Sequence, residues 1–278
     1  MEPRQAFAQL FGAPRALIGM IHLGALPGSP AAQDPVERIV ERAVDEARAY
    51  RDAGFTAVAI ENMHDRPYVR GGPYLRGGVG PEVTAAMAVA GREVKRETGL
   101  VLGVQVLAGA NREALAVALA CGAEFVRVEG FVFAHVADEG LIEASAGELL
   151  RYRRAVGAEH VRVYADIKKK HAAHALTADV SLAETARAAE FFLADGVVVT
   201  GSTTGEAAVR GDVSEAVKAS RLPVLVGSGI TPGNVDHYAH AHGYIVGSAL
   251  KQGGVWSNPL DPEFLRAMVA ALAALPRP

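Results

Sequence analysis

The sequence predicts one (β/α)8 barrel spanning residues 1–278, on three observations: eight short β-rich runs, a longer helical segment between successive runs, and no linker or low-complexity tract marking a second domain. Alternation of this kind is the signature of parallel βα architecture, and eight strands close a barrel of about this length.

The runs are Ala16 to Ile21, Thr56 to Ile60, Leu100 to Val106, Glu124 to Val128, Val161 to Ile167, Gly196 to Thr200, Leu222 to Val226 and Tyr244 to Gly247. Helix starts show between them as side chains able to cap a first turn. Asp34 to Glu37, Ser145 to Glu148 and Ser181 to Glu184 are capping-box patterns, and Thr231-Pro232 and Asp261-Pro262 place proline at the first helical position. Gly54 and Gly122 supply left-handed stops before the second and fourth strands. The long connections, Met63 to Gly80, Gly130 to Glu143 and Lys168 to Val180, all leave the C-terminal ends of strands, the face where barrel enzymes carry their chemistry.

Composition narrows the class. The chain is 50% hydrophobic and 21% charged with a net charge of -3, ordinary for a globular enzyme and unlike a nucleic-acid binder. Its one cysteine, Cys121, excludes an internal disulfide and fits a reducing cytoplasm. Arg4, Pro14, Arg15 and His22 interrupt the N-terminal apolar stretch, so no membrane helix is expected. The Ala- and Leu-rich face from Met268 to Leu275 suits packing on the barrel or in a homo-oligomer.

Strand side chains alternate, and the face toward the helices is apolar. In strand five that sets Val161, Val163, Ala165 and Ile167 outward, leaving Arg162, Tyr164, Asp166 and Lys168 inward; Lys169 and Lys170 then read as a solvated loop face. By the same parity Glu61, Gln105, Arg127 and Glu129 point inward, and His22 ends strand one. Converging charges are costly to bury unless paired. Such a cluster is either a structural ion-pair network or a ligand site whose carboxylates and lysine act as acid, base or clamp. His171 and His174 stand at its edge. A divalent metal has weak support: His22, Glu61, Glu129 and Asp166 are ligand types, but no His-x-His or His-Glu-x-x-His spacing groups them, and no cofactor is expected.

Two Gly-Ser turns follow strands seven and eight, Val226 to Thr231 and Val246 to Lys251. Adjacent turns of this type let backbone N–H groups approach an anion, each with a following helix aimed at it, and many barrels bind phosphate there. Gly227, Ser228, Gly229, Gly247 and Ser248 are the expected cradle, with Thr200 and Gly201 in the neighbouring loop Thr200 to Gly205.

The blocks Gly19 to Gly28, Glu61 to Asp65, Val126 to Glu129, Asp166 to His171, Thr200-Gly201, Val226 to Thr231 and Ile245 to Ser248 resemble, in order and nearly end to end, the BtpA family. The resemblance implies a barrel similar to the phosphate-binding barrels and supplies no reaction. The family's cyanobacterial form has Asn where Glu129 stands, which places this chain on another branch and argues against carrying over a photosystem role. An association of other members with sugar-utilisation genes favours a small-molecule role.

Two functions are therefore expected. The first is an enzyme acting on a phosphorylated sugar or nucleotide-like molecule, isomerase, lyase or hydrolase, with Lys168 steadying charge, Asp166 and Glu129 as acid and base, Glu61 and Arg127 tuning them, His22 as an alternative acid–base group, and Gln105 and His171 touching substrate. The second is a non-catalytic assembly scaffold.

Overall fold

The computed structural model describes residues 1–71, 78–201 and 205–276. All eight runs are parallel strands: β1 (Ala16–His22), β2 (Ala57–Glu61), β3 (Val101–Gln105), β4 (Phe125–Val128), β5 (Arg162–Ile167), β6 (Gly196–Thr200), β7 (Val224–Gly227) and β8 (Gly243–Val246). They close into a barrel in sequence order, β8 pairing with β1 through Ala16↔Gly243 to Gly19↔Val246.

The helices are α1 (Pro3–Phe11), α2 (Val36–Ala53), α3 (Pro81–Thr98), α4 (Asn111–Cys121), α5 (Ala146–Ala155), α6 (Leu182–Phe191), α7 (Arg210–Ala219) and α8 (Pro262–Ala273). Of the three capping boxes, only Ser181 to Glu184 closes as one, Ser181 Oγ accepting from Glu184 N while Glu184 accepts from Ser181 N. Asp34 turns to Arg42 at 2.6 Å, leaving Pro35 as the cap, and Ser145 Oγ donates to Gly130 O instead of capping α5. Asp261 caps α8 as expected, accepting from Glu263 N and Phe264 N. Thr231-Pro232 starts no α-helix: Asn234 Oδ1 accepts from Thr231 N, and only a short 3-10 turn, Val235–Tyr238, follows β7.

Two apolar layers result from strand alternation. Outward residues such as Val58, Val104, Val126, Val163, Val197 and Val224 join the helices in the larger core. Inward residues Ile18, Met20, Ala59, Phe125, Tyr164, Val198, Leu225 and Ile245 fill the barrel itself. That interior is closed from its N-terminal end by α1, a nine-residue helix with no capping side chain to announce it in the sequence. Phe7 and Phe11 insert under the strands, 5.8 Å ring to ring from Tyr164 and Phe125 respectively. Glycine at 103 is obligatory here, because a Cβ would lie 2.1 Å from the Phe125 ring.

The loops after β4 and β5 meet at the opposite end. Short strands His135–Ala137 and Gly140–Ile142 form an antiparallel hairpin, and Ala172–Ala173 pairs with it. This three-stranded sheet leans over one side of the barrel mouth and brings His135 within 5.7 Å of His174, ring to ring.

If α1 is a plug and not an appendage, Phe11→Ala lowers the unfolding free energy in urea by about 3 kcal/mol, the usual cost of deleting a buried aromatic ring. An unchanged urea midpoint would show that the barrel floor seals without it.

Candidate active site

The inward polar residues of β1, β2, β4 and β5 end in the mouth, where each strand has passed its last apolar layer. Arg127 on β4 grips Asp166 on β5 side-on, Nε to Oδ1 and a terminal nitrogen to Oδ2, both at 3.1 Å. Both side chains are almost wholly buried. Two parallel charge-assisted bonds make this the most strongly held pair in the mouth. Asp166 is nevertheless pushed above the ordinary carboxylate range, because burial outweighs the help from Arg127.

Strand parity fails one residue later. Lys168 has φ of 50°, a left-handed conformation in which alternation no longer applies. Its ammonium donates to Thr177 O at 2.9 Å and lines a side chamber with Asp166 and Lys169, so its expected position is corrected: it does not face the cavity at the Gly-Ser turns. The same reversal sends in the two lysines read as solvated. Lys169 is buried and pairs with Glu129 at 3.1 Å, while Glu129 also accepts from Gly109 N at 3.1 Å. Lys170 points into the central cavity, where burial and the nearby Arg127 lower its pKa and Glu61, Asp166 and Glu129 partly oppose the shift.

The Arg127–Asp166 pair separates two chambers. One, about 20 Å³, is lined by Asp166, Lys168, Lys169, His135, His174 and the hairpin loop. The other, about 40 Å³, is lined by His22, Glu61, Arg127 and Lys170 on one side and by Ser228, Gly229, Gly247 and Ser248 on the other. Each volume, as it stands, suits only a few waters.

Burial raises the pKa of Glu61, with Arg127 and Lys170 acting against it. Glu61 and Lys170 thus shift toward each other, an acid and a base brought closer in proton affinity by one cavity. His22 is lowered to about 4, chiefly by burial, so its ring is neutral at pH 7. Its Nδ1 lies 3.2 Å from Trp256 O, and a carbonyl only accepts, so Nδ1 carries the proton. The Nε2 lone pair then faces Glu61, 3.7 Å away.

The two Gly-Ser turns lie side by side, since Gly227 pairs with Ile245 across β7 and β8. Two features of the expected cradle are corrected. Neither turn opens an α-helix: 3-10 turns Val235–Tyr238 and Ser248–Leu250 stand there, so no helix dipole is aimed at the cavity. Gly229 is fixed by packing, for a Cβ there would lie 2.3 Å from Ala207 N, and its φ is 59°. Gly247 faces His22 instead, with 3.2 Å of clearance for a Cβ.

The remaining expected residues spread more widely. Gln105 is 2% exposed beside Glu61 in the strand register, and its Oε1 has no partner among the described residues. Thr200 Oγ1 accepts from Lys170 N at 3.3 Å, and Gly201 packs against Glu206 O. Ser202 to Thr204 of that loop lie outside the described residues. His171 is exposed, and His174 Nε2 lies 3.0 Å from Lys169 O. Among the described residues no three His, Cys, Asp or Glu side chains are grouped to hold a metal. No described helix is long and apolar enough to cross a membrane.

Residues 13–274 match the BtpA family. An uncharacterised protein of Caenorhabditis elegans, labelled mitochondrial, is 45% identical over 94% of this chain and 94% of its own. The photosystem I biogenesis protein BtpA of Synechocystis sp. is 34% identical over 95% of this chain and 90% of its own. Among solved structures, (S)-3-O-geranylgeranylglyceryl phosphate synthase of Thermoplasma acidophilum, with sn-glycerol-1-phosphate bound, superposes at a TM-score of 0.59 and 16% identity over 98% of both chains. That likeness establishes the fold.

Two outcomes test this geometry. Lys169→Met strands Glu129 in the interior and lowers stability by about 3–5 kcal/mol, whereas Lys168→Met, which loses a loop bond, lowers it by about 1 kcal/mol. Equal losses in chemical denaturation would contradict the reversal at Lys168. The second concerns pH. A histidine whose folded pKa lies below its unfolded value favours folding when neutral, so its contribution is full above pH 6.5 and is lost as pH falls toward 4. His22→Asn therefore flattens the rise of stability with pH in that window by about 1.4 kcal/mol per pH unit. Identical slopes for the two proteins would mean that His22 is not buried neutral.

Proposed function

The chain belongs to the BtpA family, and from the geometry of its mouth we propose that it is an enzyme performing general acid–base chemistry on a phosphorylated small molecule. One observation carries the reading: the cavity between the Gly-Ser turns is lined on its far side by Glu61 and Lys170, two groups whose pKa values burial drives together. A carboxyl group shifted up and an amine shifted down at one cavity wall can serve as proton donor and acceptor to a substrate between them.

The division of labour follows from position. Ser228, Gly229, Gly247 and Ser248 receive the phosphate, with Lys170 and Arg127 supplying positive charge across the cavity. Glu61 and Lys170 move the proton. His22, neutral and with its Nε2 lone pair inward, is the second acceptor. Asp166 orients Arg127, and the Lys169–Glu129 pair buttresses the loop after β5. With its one cysteine buried and unpaired, the cytoplasm is the compartment we propose.

The reading predicts that phosphorylated sugars or nucleotides raise the melting temperature where their unphosphorylated counterparts do not, by the equivalent of about 2.7 kcal/mol at a hundred times the dissociation constant. Ser248→Asp, which sets a negative charge in the cavity, abolishes that response while melting normally without ligand. For whichever compound is turned over, Glu61→Gln slows the reaction by about 10²–10⁴-fold. Failure of every phosphorylated compound to move the melt, or an undiminished response in Ser248→Asp, would reject the phosphate site and favour an assembly role.

A further inference from the structure

A pocket of about 600 Å³ lies beside the mouth, between the loop after β1, helix α2 and the segment from Lys251 to Leu260. His22 lines both this pocket and the small central chamber, and so stands at their junction. A volume of this order matches pockets that bury a whole small-molecule ligand.

The chemistry of the wall restricts what fits. Three cations line it, and each is engaged. Arg42 pairs with Asp34 at 2.6 Å, Lys251 is buried and bonded to Glu46, and the Arg66 guanidinium lies 4.9 Å from the centre of the Trp256 ring. With Arg42 and Lys251 paired to carboxylates and Arg66 set against an aromatic ring, the pocket suits a neutral occupant better than a phosphate. Trp256 supplies a flat aromatic wall, held by Arg66 and by His64, whose ring meets it edge-on at 4.6 Å. Ile21, Leu23, Ile39 and Leu260 complete the apolar lining. A flat aromatic wall among apolar and hydrogen-bonding side chains is the usual receptor for a planar, heteroatom-bearing ring.

We propose that the side pocket binds a nucleoside, so that the substrate is a nucleotide with its base and sugar against Trp256 and its phosphate beyond His22 at the Gly-Ser turns. The phosphate half of this assignment rests on the function proposed above; the nucleoside half rests on the side pocket alone. His22 then touches the ligand where its two parts join. Its protonated Nδ1 is already committed to Trp256 O, which ties the orientation of the imidazole to the segment that carries the aromatic wall.

Trp256 is the chain's single tryptophan, so its fluorescence reports this pocket alone. The intact protein is titrated with the four common ribonucleosides, their 5′-monophosphates, ribose 5-phosphate and inorganic phosphate, with melting followed in parallel. At least one nucleoside is expected to change the Trp256 emission saturably, its monophosphate doing so at about tenfold lower concentration through the added charged contacts. Ala49→Leu, which fills the pocket from α2, abolishes both changes while leaving the unliganded melt intact. Emission that no nucleoside or nucleotide alters, or that Ala49→Leu leaves responsive, overturns the proposal. So does a response to ribose 5-phosphate equal to that of the nucleotides, which would assign the pocket to a sugar. A nucleoside response without any preference for the phosphate would instead retain the pocket and reject the phosphate site.

Discussion

The cost of burying charge governs the upper half of this barrel. Below the mouth, inward positions are filled by apolar side chains and sealed by Phe7 and Phe11. Above Met20, Ala59, Phe125 and Tyr164 the inward positions become His22, Glu61, Arg127 and Asp166. Charged side chains there destabilise the fold unless each finds a partner. Arg127 and Asp166 solve the problem for each other, and Lys169 and Glu129 do the same one strand-end further out. Glu61 and Lys170 meet in the chamber beside the Gly-Ser turns, where burial opposes the charged form of each. Shifted groups that share a cavity wall are the physical basis on which we propose a ligand site there.

The same contrast separates residues that hold the site from residues that face it. Asp166 lies behind Arg127, and Glu129 is occupied by Lys169 and Gly109, so neither opens on the chamber between the Gly-Ser turns. The groups that do are Glu61, Lys170, His22 and Arg127. A site of this kind needs its supporting pairs to be rigid and its reacting groups to be poised. The two roles fall on different side chains of the same strands and loops.

Much of this was legible in the sequence. All eight strands follow from β-rich runs bounded by turn residues, and the closed barrel follows from their number. Parity along β2, β4 and β5 correctly sends Glu61, Arg127 and Asp166 inward, because a period of two is exact while a strand lasts. Legibility stops where the strand does. The positive φ of Lys168 inverts the roles of three consecutive lysines, and nothing local announces a left-handed lysine. The hairpin over the mouth was missed because strands of three residues carry too little pattern. The 3-10 turn after β7 replaced an expected helix because Asn234 folded its side chain back on Thr231 N and Gly229 O. The side pocket joins residues from three separate segments and has no sequence signature.

The central claim is that Glu61 and Lys170 in the mouth are kept for chemistry and not for stability, and the unfolding free energy of Glu61→Gln at pH 7 tests it most directly. A carboxyl group whose folded pKa lies above its unfolded value destabilises the fold at neutral pH, where the unfolded chain is ionised. Removing the charge without changing the shape should leave stability equal to or above that of the parent. A loss of about 3 kcal/mol or more, the signature of breaking a buried pair, would show that Glu61 belongs to a structural network and would contradict the account.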